Sequence, residues 1–183
     1  MSLVLQSSGG GQITVQEPTT ASNFTQTLPA ANGTIITTES PQSGSVIQVQ
    51  SSVIGTVFTT ASNTLQLTPV TLSITPKFAT SKILAIASCA LFVQQNGQAQ
   101  TYEYMRASLA RGSTQLIEGR LNTNTGTTAN TDVGANIPLM FLDSPTTTSS
   151  VTYNIYISAL VVAFLAGINN NAPSTITLME IAG

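Results

Sequence analysis

The period of the apolar residues is the strongest constraint on the fold, because it is the period of β-strands along nearly the whole chain. Apolar and polar residues alternate in segments such as Gln12–Glu17, and clusters of Gly, Pro, Asn and Ser separate these segments. No window shows the i, i+3, i+4, i+7 spacing of an amphipathic helix. The sequence predicts antiparallel strands, since parallel strands need long and usually helical crossovers.

The low charge of the chain bears on how such a protein exists in solution. Hydrophobic residues make up 42% of the 183 residues and charged residues only 7%, with a net charge of −2. Hydroxyl and amide side chains replace the usual charges, and so weak a net charge does little to keep a monomer apart from its copies. We therefore expect a protein that works within an assembly. The five Lys and Arg residues are scattered, which excludes a phosphate-tracking surface for nucleic acid.

Two parts are predicted. Residues 1–45 contain short strand segments that are too small to bury a core alone and need a partner surface. Glu39–Gly44 is interpreted as a linker, and Gly9–Gly11 as flexible chain. Residues 46–183 contain roughly eight strand segments separated by turn clusters, a pattern typical of an antiparallel β-sandwich with a jelly-roll-like arrangement.

Several segments of the second part are apolar at consecutive positions. Lys82–Val93 and Tyr156–Ile168 are the longest, and a strand with one face in water would alternate instead. We interpret them as strands whose outer face is covered by another copy of the chain, in a homotrimer or another tight oligomer. The predicted subunit contact residues are Leu160, Val162 and Phe164. The alternative is that these segments are inner strands of a single sandwich.

The residue inventory leaves little room for catalysis, metals or membranes. The chain has no His and one Cys, which excludes a nucleophile–His–acid triad and disfavours zinc. No two acidic residues lie within three positions of each other, so no calcium loop exists. Asp132 and Asp143 are the best pair for glycoside hydrolysis, the alternative being that both serve turns. The ten-residue run Ala159–Ile168 is too short for a membrane-spanning helix, which needs about 20 residues. No cofactor is expected.

Two further sets of side chains have structural interpretations. Cys89 lies in an apolar run and is expected to be a buried small side chain. Charged residues fall on two adjacent strand segments, and we expect cross-strand ion pairs in which Arg106 or Arg111 faces Glu118; a polar contact with a neighbouring subunit is the alternative. The whole set is Glu103, Arg106, Arg111, Glu118 and Arg120.

A phrase occurs twice, as TTASNFTQTLP at Thr19–Pro29 and TTASNTLQLTP at Thr59–Pro69. The flanking residues of the two copies do not match, as those of a repeated module would. We interpret Thr-Ala-Ser-Asn as one turn sequence used twice, between the end of one strand and the start of the next. An old duplication is the alternative.

Three stretches carry two resemblances to known proteins. Ser7–Thr38, which reads SSGGGQITVQEPTTASNFTQTLPAANGTIITT, resembles a segment recurrent in virion structural proteins of tailed bacteriophages, including tail fibres. Leu72–Ser88 and the ending Ser174–Gly183, STITLMEIAG, are similar to a small β-domain of phages that infect cyanobacteria and marine bacteria. Proteins of that family are tail-fibre or other virion structural proteins, and they offer no enzymatic motif to carry over.

The resemblance implies a non-enzymatic virion protein that assembles in the bacterial cytoplasm. Residues 1–45 would be an arm that docks on the major capsid protein or on a tail or adaptor protein, by adding strands. The sandwich would form a homotrimer and act as a capsid decoration or cement protein. The docking residues predicted on the arm are Ile13, Val15, Phe24, Leu28 and Ile35.

Other roles stay open at this point. A short tail fibre or receptor-binding tip is the first alternative, with a host surface glycan as a further partner. A carbohydrate-binding or carbohydrate-cleaving module is more remote, because the chain has no Trp, and Tyr102 is the best aromatic residue near a loop. No nucleic acid or membrane partner is expected.

Overall fold

A computed structural model describes residues 2–16, 19, 25, 37, 39–95, 103–123, 133–159 and 164–183. The described residues form β-strands and no helix, and every strand pair is antiparallel. The strands are β1 (Ser2–Gln6), β2 (Gln12–Gln16), β3 (Val46–Ile54), β4 (Phe58–Thr60), β5 (Gln66–Ile74), β6 (Lys82–Gln95), β7 (Glu103–Arg111), β8 (Thr114–Thr123), β9 (Val133–Asp143), β10 (Val151–Ala159), β11 (Phe164–Ile168) and β12 (Ser174–Ile181).

The chain divides into two compact units, Met1–Ile35 and Ile36–Gly183. In the first unit, β1 and β2 form a two-stranded hairpin. Its turn is built from the glycine run, which was predicted to be flexible chain. The Ser7 N–H donates to the Gly11 carbonyl at 2.8 Å, and Gly10 adopts a φ of 85°, which a side chain would make unfavourable. The glycine run is therefore a hydrogen-bonded turn with Gly10 at a positive φ, and not an irregular flexible segment as predicted.

The second unit contains a six-stranded sheet built around β6. One edge of β6 pairs with β9 along Ile83–Val93. The other edge pairs first with β12 and then with β11, which lead outward to the edge strands β3 and β4 respectively. A strand of 14 residues can carry two shorter strands end to end, and this explains why its apolar run is so long.

A four-stranded sheet in the order β5-β10-β7-β8 packs against it. Inward side chains of both sheets, among them Ala87, Leu109, Ile155 and Leu178, form one buried cluster. The predicted all-β antiparallel sandwich is therefore confirmed.

The sequence merged two strands that lie in different sheets. The segment Tyr156–Ile168 was predicted to be part of one strand, but β10 belongs to the four-stranded sheet and β11 to the six-stranded sheet. The apolar run is continuous because both strands supply core side chains, such as Ile157 and Ile168. Apolarity alone does not reveal that the chain changes sheets between them.

The second copy of the repeated phrase is a turn, as predicted. β4 ends at Thr60, the N–H of Ser62 donates to the Thr60 hydroxyl, and the N–H of Thr64 donates to the Ser62 hydroxyl. Such local side-chain hydrogen bonds are typical of Ser/Thr turns. β5 then begins at Gln66. The first copy lies outside the described residues, except for Thr19 and Thr25.

Candidate docking surface

The β1–β2 hairpin presents an apolar face to solvent. Leu5 lies directly opposite Ile13, and Val15 lies two residues further along the same face. All three side chains are more than half exposed. The opposite face carries Val4, which is half exposed, across from Thr14.

A hairpin of this kind has little intrinsic stability. Two strands without a covering layer are marginal in water, since they bury too little apolar surface to offset their ordering. Covering Leu5, Ile13 and Val15 would stabilise the hairpin by about 1 kcal/mol for each side chain. The face is therefore suited to burial against another protein surface.

The structure places two of the five predicted docking residues together. Ile13 and Val15 are neighbours on the apolar face of β2. Phe24, Leu28 and Ile35 lie outside the described residues. Sequence reasoning missed Leu5, although the short apolar run Leu3–Leu5 before the glycine run was a usable strand signal.

The predicted subunit contact lies largely outside the described part of the chain. Leu160 and Val162 are not described, and only the backbone of Phe164 is, where it pairs with Gln95. On either side, Ala159 and Ala166 are fully buried within the protein's own core.

Asp143 is the centre of a buried polar cluster that joins the two sheets. Its carboxylate accepts a hydrogen bond from the Tyr153 hydroxyl at 2.8 Å and pairs with the Arg111 guanidinium at 3.0 Å. Burial and the hydrogen bond to Asp143 raise the pKa of Tyr153 above its usual range. Asp143 is thus committed to a structural ion pair, and its suggested catalytic partner Asp132 lies outside the described residues.

Arg106, Glu118 and Arg120 pair within the chain, and the side chain of Glu103 lies outside the described part. The Arg120 Nε lies 2.8 Å from a Glu118 carboxylate oxygen, and the Arg106 Nη1 lies 3.7 Å from the other. Arg106 also donates from Nε to the Ser158 hydroxyl. The predicted intramolecular ion pairs are confirmed for Arg106, whereas Arg111 pairs with Asp143 instead of Glu118, because it lies at the end of β7 beside the end of β9.

Glu180 is a second buried carboxylate with a complete set of partners. It accepts hydrogen bonds from the Lys77 and Phe78 backbone N–H groups and from the Gln48 amide. Burial works to raise the pKa of Glu180, but the hydrogen bonds together outweigh it and hold the pKa below its ordinary value. Glu180 therefore stays ionised and fastens the turn after β5 to β12.

The other chemical groups that the structure describes are also structural. Cys89 is fully buried, and burial raises the pKa of its thiol to about 12, so it acts as a small apolar side chain as predicted. Among the described residues, no group of three or more Cys, Asp or Glu side chains could hold a metal ion. None of the described segments is a helix long and apolar enough to span a membrane.

A shallow hollow of about 440 Å³ lies beside β6 and β9, and the carboxamides of Asn136, Asn170 and Asn171 line it. Phe92 contributes to its floor but is only 6% exposed, because its ring lies flat over Gly167. The ring therefore offers little surface on which a sugar could stack. Tyr102 lies outside the described residues.

No protein-family model and no curated protein matches the chain. Matches to solved structures include a chain of the T=1 particles derived from infectious bursal virus, with 16% identity and a TM-score of 0.29. A second is a chain of infectious bursal disease virus strain Gt, with 18% identity and a TM-score of 0.26. The alignments cover 98% of this chain but only 44% and 46% of those chains. TM-scores this low carry no argument for function.

Proposed function

We propose that the chain is a non-enzymatic structural protein of a tailed-bacteriophage virion, docked on the particle through its N-terminal hairpin. The observation that carries this proposal is the exposed apolar face of Leu5, Ile13 and Val15. It lies on a compact unit of its own, and Ile13 and Val15 fall within the stretch that resembles phage virion segments.

The polar groups support a structural role. Asp143, Glu118 and Glu180 are each engaged by partners within the chain, so none is free to act as a catalytic acid or base. Catalysis by general acids and bases needs groups poised to exchange protons with a substrate. The buried thiol of Cys89 is equally inaccessible.

Within this function, we infer a capsid decoration or cement protein that forms homotrimers. The docking partner is the major capsid protein or a tail or adaptor protein of the same particle. A short tail fibre or receptor-binding tip is the second candidate, which the presence of the Ser7–Thr38 segment in tail fibres favours.

Docking through the hairpin can be tested with particles from which the protein has been removed. The Ile13→Asp variant should lose co-sedimentation with these particles by at least tenfold, because burial of a carboxylate opposes the contact. Val4→Asp is the matched control, since Val4 lies on the opposite face of the same hairpin and is similarly exposed. Equal binding by Ile13→Asp and the native protein would contradict the docking role.

A further inference from the structure

The outward face of the six-stranded sheet carries an apolar surface that no described residue covers. The strand register places Val49, Met179, Leu84 and Leu142 side by side across β3, β12, β6 and β9. Two residues further along, Ile86 and Met140 continue it between β6 and β9. We call this surface the sheet face.

Exposure is concentrated on this surface. Of the seven described large apolar side chains of the second unit that are at least half exposed, the sheet face and its next row hold four, namely Val49, Val53, Met140 and Leu142. Met140 is 59% exposed and Leu142 is 50% exposed. By contrast, the inward neighbour Leu139 is buried in the core.

The sheet face is also free of charge at its centre. The middle row contains Ser51 and Thr177, whose hydroxyls are hydrogen bonded to each other at 2.9 Å. Lys82 lies at one margin, paired with Ile181, and is the nearest charge among the described outward residues of these strands. Two such faces can therefore meet without burying an unpaired charge, which would be costly.

The size of the sheet face suits a contact between copies. Four rows of residues on four strands, from the Ile181–Lys82 row to the Val53–Thr175–Ser88 row, span roughly 19 by 27 Å, on the order of 500 Å². Most of the side chains in this area are apolar, and apolar patches of several hundred Å² usually mark an interaction site. Two faces together would bury about 1,000 Å², the size at which specific interfaces begin.

We propose that the sheet face is the surface through which copies of this chain associate, with a second copy of the chain as its occupant. The contact is carried by the aliphatic side chains of β3, β6, β9 and β12. The inference rests on the self-association that is part of the proposed function. It can fail while the proposed function still holds, because hairpin docking is measured separately.

The test is the mass of the full chain in solution, by light scattering after size-exclusion chromatography at micromolar concentration. The native protein is expected at a multiple of the chain mass of 19.0 kDa, namely two chains if the faces meet in a pair and three if they meet around a threefold axis. The double variant Met140→Glu with Leu142→Glu is expected at one chain mass, because four carboxylates or more would meet in the contact. Ser51→Arg is a second sheet-face variant, and it is also expected at one chain mass. Because Ser51 is exposed, the folded monomer tolerates the arginine.

Leu67→Glu is the matched control, because Leu67 is 52% exposed on β5 of the other sheet. It should keep the native mass. If the native protein is a dimer and both sheet-face variants dissociate it, the sheet face is supported as the contact and the threefold arrangement is contradicted. A native protein that is monomeric, or sheet-face variants that keep the native mass, would overturn the inference. Dissociation by Ile13→Asp alone would assign the contact to the hairpin and overturn it as well.

Discussion

At the scale of single residues, the two buried carboxylates of the described residues are fixed by specific partners. Asp143 forms an ion pair with Arg111 and accepts a hydrogen bond from Tyr153. Glu180 accepts hydrogen bonds from two backbone N–H groups and from the Gln48 amide. A buried carboxylate is tolerated only when such partners replace the water it has lost. Each carboxylate therefore depends on the folded structure for its partners, and replacing it should lower the free energy of unfolding.

Replacing Asp143 with Asn should destabilise the protein by about 2–4 kcal/mol, because Arg111 loses its counter-charge beside a buried site. Urea unfolding at a fixed protein concentration measures the change. Arg120→Gln is the control, since its ion pair with Glu118 is exposed and such pairs contribute less than about 1 kcal/mol. Equal losses in both variants would contradict the role assigned to Asp143.

The stabilisation from Glu180 should depend on pH. Its pKa in the folded protein lies below the ordinary value of 4.5, so the unfolded chain takes up the proton first as the pH falls. The stabilisation is present above pH 4.5 and is lost as the pH falls through the folded pKa. Glu180→Gln should therefore cost about 1–3 kcal/mol at pH 7 and less below pH 4.

The matched control for that experiment is Glu39→Gln, because Glu39 is exposed. Its free energy of unfolding should follow that of the native protein at every pH. If the difference between Glu180→Gln and the native protein were the same at pH 7 and at pH 3, Glu180 would not be the group that titrates.

At the scale of elements, β6 and β11 are joined by a close contact between an aromatic ring and a glycine. A Cβ atom on Gly167 would clash with the Cζ of Phe92, so only glycine leaves room for the ring against β11. An aromatic side chain that covers a glycine on the neighbouring strand is a known device for fixing strand pairing. The contact also explains why Phe92 is buried on an outward face.

Replacing Gly167 with Ala should destabilise the protein by about 1–3 kcal/mol, because the ring must leave its place. In the Phe92→Leu background the same change should cost less, and this difference is the coupling energy of a double-mutant cycle. Gly55→Ala is the control, since nothing lies within 4 Å of its added methyl group. Additive effects of the Gly167 and Phe92 substitutions would contradict the contact.

The strand periods identify most elements of the sandwich but not their sheets. β6 and β12 were predicted almost to the residue, because turn residues bound their apolar runs. β10 and β11 were merged, since both are core strands and no Gly or Pro stands in the sequence between them. β1 was missed, because pairing with β2 depends on a glycine turn whose geometry the sequence does not state.

The two candidate surfaces could also be predicted only in part from the sequence. Ile13 and Val15 were found by alternation within one strand, while Leu5 joins them only through the hairpin register. The sheet face combines β3, β6, β9 and β12, which are far apart in sequence, so its continuity follows from strand order alone. Consecutive apolar residues in single strands predicted a covered outer surface, but the sequence does not say where that surface lies.

At the scale of the whole molecule, the chain combines a sandwich with two apolar surfaces that lack a described cover. We propose a different partner for each surface. The apolar face of the β1–β2 hairpin would bind another virion protein, and the sheet face would bind another copy of this chain. Weak net charge and few exposed charges are consistent with a surface that is largely covered in use. Assembly into a particle would account for both surfaces.

The most direct test of this account is to locate the protein on particles purified from cultures that produce it, by mass spectrometry and by gold-labelled antibody. The account predicts that the protein copurifies with intact virions and that label covers the capsid shell; label at the tail would favour the fibre role. Absence of the protein from purified, infectious particles would contradict its assignment as a virion structural protein.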